Sequence, residues 1–339
     1  MKTLALALLL VLSGVEGLVP QDSKGLRIAW IDVEGGAATL IVTPEGEALL
    51  MDCGWPGDRD VQRIAKTVAD LGVKKIDHFL TSHWHTDHWG CVEALSKAVP
   101  IVRYYDHGFP EGPAKDVDAK LKESYLRASD GKRTVLQAGD AVPLKGAEVK
   151  ILSAHGIVTG EAPGAPQVRA CEANPAHPPK PEDTSDNARS LGFRLSYGDF
   201  QFLDLGDLTW NVEHKLVCPT NLIGAVDVYQ ATHHGLDQSN HPALLKAANP
   251  AVIVINNGPK KGGTAAAFRW FKGLEGVKDI FPLHRNVQTK PEDNPAPELV
   301  ANDEEKCAGA GILLTVAPGG KSYRVAVPSK GTTREYASR

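Results

Sequence analysis

The sequence predicts an α/β protein built as a four-layer αβ/βα sandwich. Three observations predict it. Short apolar runs bounded by Gly and Pro alternate with amphipathic stretches from residue 26 onward. These runs fall into two halves, each opening with strands joined by tight turns and continuing with alternating helices and strands. Polar residues suited to chemistry recur at the ends of apolar runs, namely Asp52, His83, Asp207 and His233, and α/β sheets gather their sites at one end of the strands.

The elements follow in order. Residues 26–33, 38–43 and 48–53 read as strands separated by Gly35-Gly36 and by Pro44-Glu45-Gly46. In 60–71, Val61, Ile64, Ala65, Val68 and Leu71 share one helical face, and Gly72 ends the helix. A strand at 76–82 leads into a helix at 88–99. Then come a strand at 101–105, a polar helix at 116–128, and strands at 133–137 and 147–152. A Pro-, Ala- and Glu-rich stretch at 162–183 reads as a long surface loop. The second half holds a hairpin (190–197 and 200–205), helices at 211–217, 242–248 and 264–272, and strands at 226–231, 251–255 and 277–281. Strands at 312–316 and 323–327 close the chain, with a polar, frayed tail at 329–339.

Bulk properties narrow the class. The chain has 339 residues, and 37 Lys+Arg against 41 Asp+Glu leave a net charge of −4. That argues against a strongly basic nucleic-acid-binding protein while leaving a local basic groove open. Met1-Lys2, an apolar run from Leu4 to Val11 and small residues near Gly17 make a signal-peptide pattern at 1–17, giving an expected mature start near Leu18 and one domain at 18–328. The apolar run is too short to span a bilayer, and no other long one occurs. The expectation is an exported protein, periplasmic or secreted, without a membrane span when mature. Oligomeric state leaves no signature in the sequence. Five cysteines without a CxxC pair leave at least one free thiol, and Cys53 and Cys91 read as small buried residues.

The chemistry concentrates in Thr81-Ser82-His83-Trp84-His85-Thr86-Asp87-His88-Trp89-Gly90. Three imidazoles and one carboxylate occupy six residues at a strand-to-helix turn. On an extended segment His83 and His85 face one side. Asp87 and His88, one spacer later, turn towards a second point. Neutral imidazole and carboxylate suit Zn, with Mn or Fe as alternatives, so the pattern predicts two divalent ions side by side. A histidine-rich surface turn would not account for both the spacing and the strand-turn-helix context.

Strand-Asp52-Cys53-Gly54, the HxHxDH run, Gly206-Asp207 after a hairpin and His233-His234-Gly235 occur in the order found in metallo-β-lactamase-fold hydrolases, which the sequence resembles over about residues 26–290. Asp186-Asn187-Ala188-Arg189-Ser190-Leu191, Gly206-Asp207-Leu208 and His233-His234-Gly235 with Ser239 are most similar to the ComEC-like hydrolase branch. The resemblance implies His83 and His85 on a first metal, Asp87 and His88 on a second, Asp207 bridging both, and His233 or His234 completing the second. Asp52 would orient a ligand histidine. Many members place a third histidine about twenty residues before the bridging aspartate. Here Asp186-Asn187 stands there, so Asp186, Asn187 or water would finish the first site.

Paired dications make hydroxide available near neutral pH and stabilise a developing oxyanion, with Asp87 and Asp207 as the catalytic carboxylates and Asp87 able to move a proton. The expected activity is therefore metal-dependent hydrolysis of a small-molecule or phosphodiester substrate, nucleic acid included. The alternatives are hydrolysis of a lactone, ester or β-lactam, or metal binding without catalysis. His107 and His155 sit at strand ends and could touch substrate, with His241 and His284 weaker candidates. The basic turn around Lys260 and Lys261 could receive phosphate. Trp84 and Trp89 fit either the pocket mouth or the core. Ser239 has no readable base and is not a credible nucleophile.

Overall fold

The structure is a computed structural model that describes residues 25–110, 116–160 and 177–339. The expected signal segment, Cys171 and most of the expected surface loop lie outside these residues. Among those described, no helix is long and apolar enough to cross a membrane.

The chain opens with β1 (Arg27–Trp30), β2 (Thr39–Val42) and β3 (Ala48–Met51), followed by α1 (Asp58–Asp70) and β4 (Ile76–Leu80). The helices α2 (Thr86–Trp89) and α3 (Val92–Ala98) then lead to β5 (Ile101–Asp106), α4 (Ala119–Ala128) and β6 (Arg133–Val135). Next are β7 (Ala141–Val142), β8 (Glu148–Ala154), β9 (Ile157–Val158), β10 (Gly192–Tyr197) and β11 (Phe200–Asp204). The second half continues as α5 (Trp210–Lys215), β12 (Val228–Gln230), α6 (Pro242–Ala248), β13 (Val252–Ile255), α7 (Ala265–Lys272) and β14 (Asp279–Pro282). It ends with β15 (Ile312–Val316), β16 (Ser322–Val327) and β17 (Thr332–Ala337).

Two sheets face each other. One runs β17-β16-β15-β1-β2-β3-β4-β5-β6; the other runs β14-β13-β12-β11-β10-β8-β7, with β9 beside β8. A buried cluster including Trp30, Leu49, Phe193, Phe202, Val254 and Leu314 fills the space between them. A second cluster lies under α1, α3 and α4, and a third under α5, α6 and α7. This is the four-layer αβ/βα sandwich expected from the sequence. The α1 face forms as its periodicity requires, with Val61, Ile64 and Val68 buried. The strands β2, β3 and β13 are buried at every residue, which explains why they read as continuous apolar runs rather than alternating ones.

Three expectations change. The segment after Pro328 is not a frayed tail, because β17 pairs with β16 over six residues and buries Tyr336. Its alternation is hard to read because only one face is covered. The single helix expected at 88–99 is two, since Gly90 leaves the helix to donate its N–H to Gly54 O at 2.8 Å. The two halves do not map one to one onto the sheets: β15, β16 and β17 complete the first sheet beyond β1, whereas β7 and β8 join the second. Cys53, Cys91 and Cys307 are free thiols, the first two buried as expected, and Cys218 is disulfide-bonded.

The strands β3 and β4 are parallel, as are β11, β12 and β13. Their carboxyl ends carry Asp52, His83, Asp207, His233 and Asn256, and the site forms there.

Candidate metal centre

Four side-chain atoms converge at these strand ends: Asp87 Oδ2, His88 Nε2, Asp207 Oδ2 and His234 Nε2. His88 Nε2 lies 3.2 Å from His234 Nε2 and 3.3 Å from each carboxylate oxygen. His234 Nε2 lies 3.3 Å from the same two oxygens. A tetrahedral ion with bonds of about 2.0–2.1 Å needs ligand atoms about 3.3–3.4 Å apart. The five separations match that requirement, and all four residues are buried. The residues present therefore fit a tetrahedral dication.

Each imidazole is held by its other nitrogen. His88 Nδ1 lies 2.7 Å from Asp52 Oδ2, and His234 Nδ1 lies 3.1 Å from Asn256 O. A proton on each Nδ1 leaves the Nε2 lone pair facing the cluster. Asp52 is itself fixed by Ser82, whose N–H donates at 2.8 Å and whose hydroxyl donates at 2.6 Å. Asp52, His233 and His234 have φ of 62°, 55° and 55°. Left-handed backbone at three non-glycine residues is uncommon and gathers at functional sites. Asp207 follows Gly206, where a Cβ would stand 2.8 Å from Ser82 Cβ. Its N–H donates to Ser190 Oγ at 3.2 Å, and His233 N–H donates to Gly206 O at 3.0 Å.

Charge is balanced inside this pocket. Burial would raise Asp87 and Asp207, but the surrounding histidines hold both carboxyls well below their ordinary value. Burial opposes a charge on His88, yet Asp207, Asp87 and Asp52 raise it well above the usual imidazole range. The cluster is thus a place where positive charge is strongly favoured.

His83, His85 and His233 surround the cluster without completing it. His83 Nε2 is buried, 3.8 Å from Asp207 Oδ2, and has no hydrogen-bond partner. His233 Nε2 stands 3.6 Å from the same oxygen and 3.5 Å from Asn187 Nδ2. Burial lowers the His233 pKa to about 4, so the ring is neutral. The half-buried His85 directs Nε2 towards Asp116 Oδ2 at 3.4 Å.

The remaining sequence candidates divide. Asp186 is a brace: its Oδ2 accepts from Trp84 N–H at 2.7 Å and lies 3.2 Å from His107 Nε2. His107 is engaged there, and His155 is exposed. Lys260 pairs with Glu305, whereas Lys261 Nζ donates to Asp87 Oδ2. His284 pairs with Asp32 at 2.7 Å, away from the cluster, and His241 caps α6. Trp84 and Trp89 are fully buried and belong to the core. The Ser239 hydroxyl donates to Leu208 O at 2.7 Å, which fits its dismissal as a nucleophile. Sequence reasoning missed Ser82, Asp116 and the Asn256 carbonyl. Serine, a carboxylate at a helix entrance and a backbone carbonyl carry no local pattern that marks them.

Residues 31–157 match the model of the Metallo-beta-lactamase superfamily. Recombination protein 2 of Haemophilus influenzae is 26% identical over 235 residues, 68% of this chain and 24% of that protein. A UPF0173 metal-dependent hydrolase of Koribacter versatilis is 37% identical over 82 residues, 24% of this chain and 32% of that protein. The matches thus span under a third of the length of these relatives. Among solved structures, the metallo-beta-lactamase fold protein YhfI of Bacillus subtilis is 13% identical, with a TM-score of 0.47, covering 75% of this chain and 95% of that one.

Proposed function

We propose that the chain is a metal-dependent hydrolase of the metallo-β-lactamase superfamily and that it cleaves phosphodiesters with water, nucleic-acid strands among them. The tetrahedron of Asp87, His88, Asp207 and His234 carries the metal-dependent part of this reading. The phosphodiester part is supported by the similarity to a protein named Recombination protein 2.

Asp87, His88, Asp207 and His234 would hold one divalent ion, with zinc favoured by the tetrahedral spacing. His83 and His85 would hold a second ion, with Asp207 the carboxylate available to both. His233 Nε2, 3.6 Å from Asp207 Oδ2, would be available to that ion, whereas Asp186 Oδ2 already accepts from Trp84 N–H. Divalent ions held there supply Lewis acidity and bring the pKa of a water near neutrality. The protein's own groups do the rest. Asp52 and Asn256 keep the Nε2 atoms of His88 and His234 available. Ser239 Oγ lies 3.3 Å from His233 Nδ1 and gives its own proton to Leu208 O, so it accepts from Nδ1 and leaves His233 Nε2 unprotonated. Asp87 Oδ2 is placed to take or return a proton at the pocket edge.

The test is turnover of bis-p-nitrophenyl phosphate, single-stranded DNA, a lactone and nitrocefin by the metal-loaded chain. Cleavage of the diesters is expected, with Asp207→Ala losing both metal and at least about a hundredfold in rate. Turnover confined to the lactone or nitrocefin would refute the phosphodiester reading. Full activity in Asp207→Ala would remove the bridging role.

A further inference from the structure

Lys261 is a cation that neither the fold nor the four-atom cluster requires. It lies on the turn at 258–263 after β13, and that turn is tied down from both sides. Gly258 N–H donates to Lys261 O, Gly263 N–H to His234 O and Asn286 Nδ2 to Gly262 O, each at 2.8 Å. Gly262 has φ 81°, and a Cβ there would stand 2.1 Å from His234 O. The backbone presenting Lys261 is therefore locked against the backbone of a cluster residue. The side chain packs over Gly35, its Nζ donates to Asp87 Oδ2, and the Trp55 ring centroid is 5.3 Å away. The side chain is 35% exposed, which puts it at the mouth of the pocket.

Asp87 Oδ2 is also a corner of the tetrahedron. A dication inside the cluster and an ammonium on the same oxygen repel each other, and the exposed side of Lys261 gives the ammonium another position. The Trp55 ring already lies beside the ammonium, and a cation over an indole is favourable by about 0.5–1 kcal/mol at exposed sites. An incoming anion meets the carboxylates Asp52, Asp87, Asp116, Asp186 and Asp207 in and around the site. A fixed cation at the mouth offsets them and gives the anion's outer oxygen a donor.

We propose that Lys261 determines charge specificity by receiving an anionic oxygen of the substrate, the non-bridging oxygen of a phosphodiester, at the mouth of the metal pocket. The proposal rests on the phosphodiester reading above. Lys260, held by Glu305 on the surface, takes no part.

Inorganic phosphate titrated calorimetrically into the metal-loaded full chain provides a readout separate from turnover. In Lys261→Met with full metal content, the phosphate Kd should weaken about tenfold, as loss of one charge-assisted hydrogen bond implies. KM for bis-p-nitrophenyl phosphate should rise by a similar factor with a smaller change in kcat. Lys261→Arg should retain most of the phosphate affinity. Unchanged affinity in Lys261→Met, or no measurable phosphate binding to the wild type, overturns the proposal. Equal losses in Met and Arg variants also overturn it, by marking the residue as structural. If phosphate binding weakens while the wild type cleaves no diester, the phosphodiester reading fails and the anion-receiving role stands. If both proteins cleave the diester with the same KM and bind phosphate alike, the role of Lys261 fails and the phosphodiester reading stands.

Discussion

At the scale of single residues, the site depends on which nitrogen of each histidine is held from behind. His88 shows this most clearly, because one carboxylate oxygen of Asp52 takes both the Ser82 hydroxyl and His88 Nδ1. Removing that acceptor lets the ring adopt the wrong tautomer and turns the lone pair away from the cluster. Asp52→Asn is therefore expected to weaken metal affinity by about 10–100-fold while leaving the fold intact. Competition with a chelator measures the affinity, and circular dichroism checks the fold. Unaltered affinity would show that Asp52 shapes only the turn. The left-handed backbone of Asp52 (φ 62°) belongs to the same device, since it turns the carboxylate back under the loop that bears the ligands.

At the scale of elements, the helix α5 anchors the segment that follows His233 and His234. Its buried Glu213 accepts from Asn240 N–H at 3.0 Å and His241 N–H at 2.8 Å. Burial pushes the Glu213 carboxyl up to about 7, against the lowering effect of those two donors. The sign follows from the folded state binding the proton more tightly than the unfolded chain, whose glutamate titrates near 4.3. Glu213's contribution is then fully present below that value and is lost as pH rises towards 7. The loss amounts to at most about 4 kcal/mol. The unfolding free energy of wild type minus that of Glu213→Gln should therefore fall between pH 4.5 and 7 and stay flat above. Denaturant titrations at pH 5, 6, 7 and 8 measure it. A difference independent of pH would show that the two backbone donors keep Glu213 ionised throughout.

At the scale of the whole molecule, the site joins the two sheets. Asp52, Asp87 and His88 come from the first, and Asp207 and His234 from the second. A metal ion there binds the folded chain and no single segment of the unfolded one. At a free metal concentration of 100 Kd this adds about 2.7 kcal/mol. Chelation should accordingly lower Tm by about 4 °C, with recovery on re-addition of metal, as scanning calorimetry would show. A Tm indifferent to chelator would mean that His88 and Lys261 already neutralise the carboxylates as well as an ion does.

Much of this was legible in the sequence because its causes are local. The α1 face repeats every three or four residues, the strands are short apolar runs closed by turns, and His83, His85, Asp87 and His88 lie within six positions. Periodicity and spacing report such features directly. The strand β17 escaped notice because a lone strand with one buried face among polar residues resembles a tail. The choice between His233 and His234 could not be read because both are adjacent imidazoles, separated only by the left-handed turn that aims one at the cluster. Asp186 and Lys261 exchanged importance for the same reason: one carboxylate is consumed by Trp84 N–H and His107, and one surface lysine is carried inward by a turn locked to His234 O. The sequence alone thus determined the layers, the ligand-bearing turn and a donor set suited to a divalent ion, since these follow from residue type at short range. The tertiary structure decided which atoms meet, because five separations of 3.2–3.3 Å among residues up to 147 positions apart are set by the packing of two sheets and not by any neighbour in the chain.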